Sequence, residues 1–297
     1  MKKYFRLRAI LFVLVTVLVV QACTTAQRVH QGSEVAEEGI ELTRILPAFY
    51  DAYYTSAIRA DSVTLQLVRQ EPGITTTRLR EQLNEANTDL LQTGKLIGEM
   101  KDHAGLLREY FEAIQALTDD EVGEDFGSST KQLIEGMEAV REELPDRVGS
   151  DFAAKKAGEP TGNFVVVALK NKALQRELEL HGATIERELE LQETLLDTIG
   201  ESMTSNHEAW VSAGLEIPLF ESYESKKQKL SRSWIDNRVE LLTQPDDVAI
   251  TEDAKDAMKG LRLAWRELAG GGPRKSTMVR LRDRVDATEK LVGTLAN

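Results

Sequence analysis

LREQLNEANTDLLQTGKLIGEMKDHAGLLREYFEAIQALT, residues 79–118, carries apolar or small side chains at Leu79, Leu83, Ala86, Leu90, Thr93, Ile97, Met100, Ala104, Leu107, Phe111, Ile114 and Thr118. The spacings alternate between four and three without a break. That rhythm averages 3.5 residues, so the stripe stays on one face of a single helix for about 58 Å and favours left-handed packing against other long helices.

The same reading extends outward in both directions. Toward the N-terminus, Leu42, Leu46, Phe49, Tyr53, Ser56, Ala60, Val63 and Leu67 repeat the pattern. The two stripes are separated by EPGITTT at 71–77, where Pro72-Gly73 turns the chain and a threonine can cap the next helix, which predicts an antiparallel hairpin. A third segment, from about 164 to 212, has its seam at Val167, Asn171, Leu174, Leu178, His181, Ile185, Leu189, Gln192, Leu196, Ile199 and Met203. Within it RELELHGATIE (176–186) is followed by RELELQETLLD (187–197), an offset of eleven residues that predicts local unwinding of the supercoil. Two copies do not make a solenoid.

Shorter helices are predicted around the long ones. Ser129-x-x-Gln132 reads as a capping box before Leu133, Met137, Val140 and Leu144, and further helices are expected over about 219–243, 251–269 and 275–295. Breaks fall at Pro245 and at Gly270-Gly271-Gly272-Pro273, while Pro47 and Pro145 interrupt helical patterns and are expected to kink them or mark helix starts. The one strand-like run, FVVVAL at 164–169, leads directly into helix. The fold class predicted is all-α: an elongated antiparallel bundle of long heptad-patterned helices over 34–213, with shorter helices over 214–297 packed on the same bundle.

The N-terminus has a different character. MKKYFRLR carries Lys2, Lys3, Arg6 and Arg8 and no acid, and AILFVLVTVLVV follows, ending at Gln21. This is the layout of a signal peptide, and the run is short of the about 20 apolar residues that a spanning helix needs. Val20-Gln21-Ala22-Cys23 resembles the lipobox of bacterial lipoproteins, with Gln21 where a small or aliphatic residue is usual; the resemblance covers residues 1–23. It implies cleavage after Ala22 and a mature chain that begins with a diacylglyceryl-modified, acylated Cys23. It also implies export, and Thr24-Thr25 after the cysteine implies the outer membrane, facing the periplasm, if the cell has two membranes.

Cys23 is the only cysteine of the 297 residues. An unpaired thiol in an exported protein risks oxidation, and acylation removes it. Acyl chains at about 0.8 kcal/mol per buried methylene then anchor the protein without a spanning helix. The polar stretch 23–33 is expected to act as a lipidated tether. Loss of residues 1–22 takes the formal charge from −12 to −16, an acidity that disfavours nucleic acid and anionic headgroups as partners.

Catalytic templates are missing. Three residues before His30, His103, His181 and His207 stand Gln27, Met100, Leu178 and Thr204, so the Glu-x-x-His pairs of di-iron bundles are not present. The sequence holds no Gly-x-Ser-x-Gly, no phosphate loop and no His-Glu-x-x-His, and no cofactor or metal is expected. Two polar sets each have two readings. Asn171, His181 and Gln192 either face a ligand or fix helix register, and their spacing of roughly 15 Å favours register. Phe49, Tyr50, Tyr53 and Tyr54 either fill the core or line a pocket, so that Tyr50, Tyr53, Tyr54 and His181 are the candidate ligand-facing residues.

The acidic stretch 118–127 lacks the ligand order of a calcium loop, and the basic run 274–284 has the spacing of a surface helix. The function expected is a lipid-anchored, non-enzymatic binding or scaffolding bundle of the cell envelope. A bundle that senses a small molecule between its helices, or an enzyme of another type, is the alternative.

Overall fold

The computed structural model describes the backbone of residues 2–69, 73–118, 126–148, 172–220, 232–243 and 247–295; the side chains of 2–26, 126, 143–148, 242–243, 247–250 and 294–295 lie outside that description. Among the described residues there are seven α-helices and no strand: α1 (Lys2–Val68), α2 (Thr76–Thr118), α3 (Phe126–Val148), α4 (Lys172–Val211), α5 (Arg232–Thr243), α6 (Asp247–Gly270) and α7 (Lys275–Leu295). A π-helical turn, Ser212–Glu216, extends α4. Cys23, Ala22, the FVVVAL run, Asn171, Pro72, Pro160, Pro245 and most of the acidic loop lie outside the description or have side chains that do.

Side-chain pairs fix how the helices run. Gly39 faces Phe111 and Gly94 faces Tyr54, so α1 and α2 are antiparallel, as the turn at Gly73 with its φ of 81° requires. Gly136 of α3 faces Leu106 of α2, and Trp265 of α6 donates to the Gly182 carbonyl of α4 at 2.9 Å while Thr251 meets Met203. Arg284 of α7 pairs with Asp256 of α6 at 3.3 Å. Helix α4 lies parallel to α1, because Gly32 faces Leu174 and Tyr50 bonds Gln192. It lies parallel to α3 as well. The chain between α3 and α4, residues 149–171, has an extended reach of about 75 Å, enough to return along α3 to the starting end.

The heptad stripes are where the burial falls. Leu42, Leu46 and Phe49 of α1, Ala104, Leu107, Phe111 and Ile114 of α2, and Leu174, Leu178, Ile185, Leu189 and Leu196 of α4 are fully buried in one core cluster. Leu261, Trp265 and Leu281 from α6 and α7 join the same cluster, so the shorter helices close the bundle. Trp265 stands edge-on to both Tyr110 and Phe111, at 6.0 and 5.9 Å between ring centroids. Outside the core, Arg262 reaches Glu190 and Glu193, Arg282 reaches Glu38 at 2.9 Å, and Arg44 reaches Glu289 at 2.7 Å, which ties α4 to α6 and α1 to α7.

Three sequence expectations change. The 27–33 part of the tether belongs to α1 and to the bundle: Gln31 donates to the Pro273 carbonyl at 3.2 Å, and Gly32 is buried beside Leu174 and Thr118. Its polar composition hid this, since the contacts are made by an amide and by a missing side chain. Ser129 does not cap α3, because the helix already opens at Phe126. Of the two roles expected for Pro47, a kink or a helix start, the second falls away, since Pro47 lies inside α1.

The α2 stripe also thins at one end. Burial begins at Ile97, whereas the stripe residue Leu83 is 45% exposed. Beside it, Trp210 and Ala213 pack on Val63, Arg59 lies over the Trp210 ring at 5.2 Å, and Trp234 donates to the Leu215 carbonyl at 2.9 Å within the π turn.

The α1/α2 contact depends on the missing side chain of Gly39, where a Cβ would stand 2.6 Å from the Phe111 ring. Gly39→Ala is therefore expected to lower stability by about 2 kcal/mol through overpacking, despite the better helix propensity of alanine, as read from urea denaturation followed by circular dichroism.

Candidate functional site

The interior of α4 is not uniformly apolar. Glu188 and Gln192 stand one turn apart on its inward face, and neither side chain is accessible to solvent. Each takes partners from other helices. His103 of α2 lies between them, with Nε2 3.1 Å from a Glu188 carboxylate oxygen and Nδ1 2.7 Å from the Gln192 amide nitrogen. Tyr50 of α1 donates its hydroxyl to Gln192 Oε1, and Arg141 of α3 donates to the other Glu188 oxygen at 2.7 Å.

The donors and acceptors fit only one way round when read from the tyrosine. The phenol donates to the amide oxygen, the amide nitrogen donates to Nδ1, and Nε2–H donates to the carboxylate. A single hydrogen-bonded chain thus joins four helices, fully buried until it reaches the partly exposed Arg141. Burial pushes Tyr50 far above the usual phenol range, which keeps it a donor. A half-satisfied network of this kind is costly, because each orphaned group carries its full desolvation penalty.

One repeat earlier, Glu177 occupies the place that Glu188 holds in the second copy of the eleven-residue motif. Eleven residues are three turns plus about 20°, so both carboxylates point inward. The surroundings differ. Glu177, 4% exposed, faces the Tyr110 hydroxyl of α2 and Thr130 of α3, with no cation among its described neighbours. Burial raises its pKa from the ordinary 4.5 to about 7, against the nearby hydroxyls of Tyr110 and Thr130, which lower it. The matching positions, Thr130 to Arg141 and Glu177 to Glu188, are both eleven apart, so α3 and α4 keep one parallel register across the two rungs.

The candidate ligand-facing residues do not converge. Tyr50 belongs to the buried chain. Tyr53 is raised by burial and turns to Ser202, whereas the Tyr54 hydroxyl lies against Gly94, 2.9 Å from where a Cβ there would stand. His181 is half-buried on the α3 side, pulled down by burial and opposed by nearby Glu138. Among the register candidates, Gln192 lies at the centre of the chain.

Sequence reasoning missed His103, Arg141, Glu177 and Glu188. The two glutamates had a signal in the repeat, whose matched copies put acids at the same inward phase; His103, next to the seam residue Ala104, had none. Among the described residues no cluster of three or more His, Cys, Asp or Glu could hold a metal ion, and no helix is long and apolar enough to cross a membrane. Comparison with protein families, with curated proteins and with solved structures gives no match.

Arg141→Ala strands the Glu188 charge in the core, and a loss of about 3 kcal/mol is expected. Adding Glu188→Gln removes that charge and should restore at least about 1 kcal/mol, a sign that equilibrium urea melts of the two variants can read directly.

Proposed function

We propose that the protein is a lipid-anchored scaffold of the cell envelope, a stiff helical bundle held to a membrane by acyl groups on Cys23 and presenting its far end to a partner. One observation carries this reading: the lipobox-like Val20-Gln21-Ala22-Cys23 runs without a helical break into α1, the helix that spans the bundle. From Cys23 to Arg28, which already lies beside Gly271, is about 8 Å along the helix, and from Cys23 to the end of α1 about 68 Å. Anchor and rod are then one continuous element, and the α1/α2 tip stands well away from the bilayer.

Binding rather than chemistry suits the interior. The polar groups of the buried chain bond one another, and the core between the rungs is apolar. The outer half of α2, where Leu83 and Leu91 lie open, is the face such a scaffold offers. The ligand-sensing alternative draws no support from Tyr50, Tyr53, Tyr54 and His181, which face different neighbours.

Expression of the full chain in a bacterial host tests the anchor. Mass spectrometry of the mature protein is expected to find an acylated peptide beginning at Cys23, and Cys23→Ala should move the protein out of the membrane fraction. A Cys23→Ala protein that stays with the membrane would overturn the proposal.

A further inference from the structure

Helix α3 is the least embedded of the long-bundle helices. It packs chiefly on α2 and meets α4 at the two carboxylate rungs. The rungs are unlike. Glu188 has Arg141 at 2.7 Å and His103 at 3.1 Å, so its charge is matched. Glu177 has neither. The Tyr110 hydroxyl and Glu177 Oε1 are both buried without an aligned hydrogen-bond partner, and the remaining neighbour is a threonine hydroxyl.

Among the described residues, α1 and α6 bring apolar side chains to this level. The α1/α4 register puts Val35 level with Glu177, and α6 contributes Trp265, against the Tyr110 ring, and Leu268, beside Gly32. On the α3/α4 side, Lys131 beside Thr130 pairs with Glu135 at 3.5 Å on the exposed face of α3, and His181 stands near Glu138 one turn further along α4.

We propose that Glu177 is a proton-sensitive latch for α3, closed on Thr130 while the carboxyl is neutral and opened when its proton leaves to solvent. An ionised carboxylate in that position meets no cation among the described residues, and water becomes its best partner. Lifting the first turns of α3 admits water at the least cost in buried surface, since α3 gives the core cluster only Ile134 and Met137, fewer buried residues than α1, α2, α4 or α6. The matched charge of Glu188 holds the other end of α3, so the opening is a local hinge of one end.

The sign follows from the raised carboxyl. The contribution of Glu177 to the closed state is complete below pH 4.5, is lost as the pH rises toward about 7, and changes little above that. Amide hydrogen exchange of the full chain, corrected for the intrinsic pH dependence of exchange, is the test. Protection over 127–134 is expected to fall roughly tenfold per pH unit between about pH 5 and 6.5, while the Arg141 end of α3 and the 195–203 part of α4 stay constant.

Glu177→Gln keeps the shape of the neutral acid and should flatten that profile. His181→Gln should leave the fall in place, which assigns the proton to Glu177. Tyr110→Phe, which retains the carboxyl and removes only a hydroxyl without an aligned partner, should show the same fall. Flat protection in the wild type, or an undiminished fall in Glu177→Gln, would overturn the latch. The outcome is independent of whether Cys23 carries lipid.

Discussion

A carboxylate with no access to water must find its partners at one height along the bundle, and Glu188 imposes that condition on three helices at once. Its oxygens need His103 from α2 and Arg141 from α3 at the level where α4 presents them, and His103 in turn needs Gln192, which needs Tyr50 from α1. Apolar seams of the 3.5-residue type cannot do this alone. A heptad stripe slid by seven residues, roughly 10 Å, still meets apolar positions, whereas the polar chain has one height at which every atom is paired.

Stability and specificity therefore have different sources here. The apolar cluster shared by α1, α2, α4, α6 and α7 supplies the driving force for folding. The buried ion pair adds little net stability, because desolvation of Glu188 and Arg141 offsets most of their attraction, and its effect is to penalise every other register. The eleven-residue repeat makes this compatible with a seam of leucines. It returns acids to the inward phase of α4 while Leu178, Leu189 and Leu196 hold the stripe.

Much of the architecture was legible because it rests on periodicity. The alternation of four and three located the cores of α1, α2 and α4, and the glycine run at 270–272 marked the α6/α7 turn, where Gly271 and Gly272 adopt φ of 136° and 112°. The site was less legible for a physical reason. Burial of an acid is decided by what other helices bring to it, so Glu177 and Glu188 look like the exposed Glu179 in sequence, and only their repeat phase distinguishes them. Gln31 and Gly32 were missed in the same way, because a helix can pack through a hydrogen bond to Pro273 and through the absence of a side chain.

Register control by the polar chain is open to one direct measurement: the distance distribution between spin labels at Lys95 of α2 and Glu201 of α4, in a chain whose polar residues are replaced together by Tyr50→Phe, His103→Leu, Arg141→Met, Glu188→Leu and Gln192→Leu. The expected result is a helical, stable protein whose single distance becomes broad or splits into populations separated by steps of roughly 10 Å. One narrow distribution, unchanged from the unreplaced chain, would contradict it and assign register to the apolar seams alone.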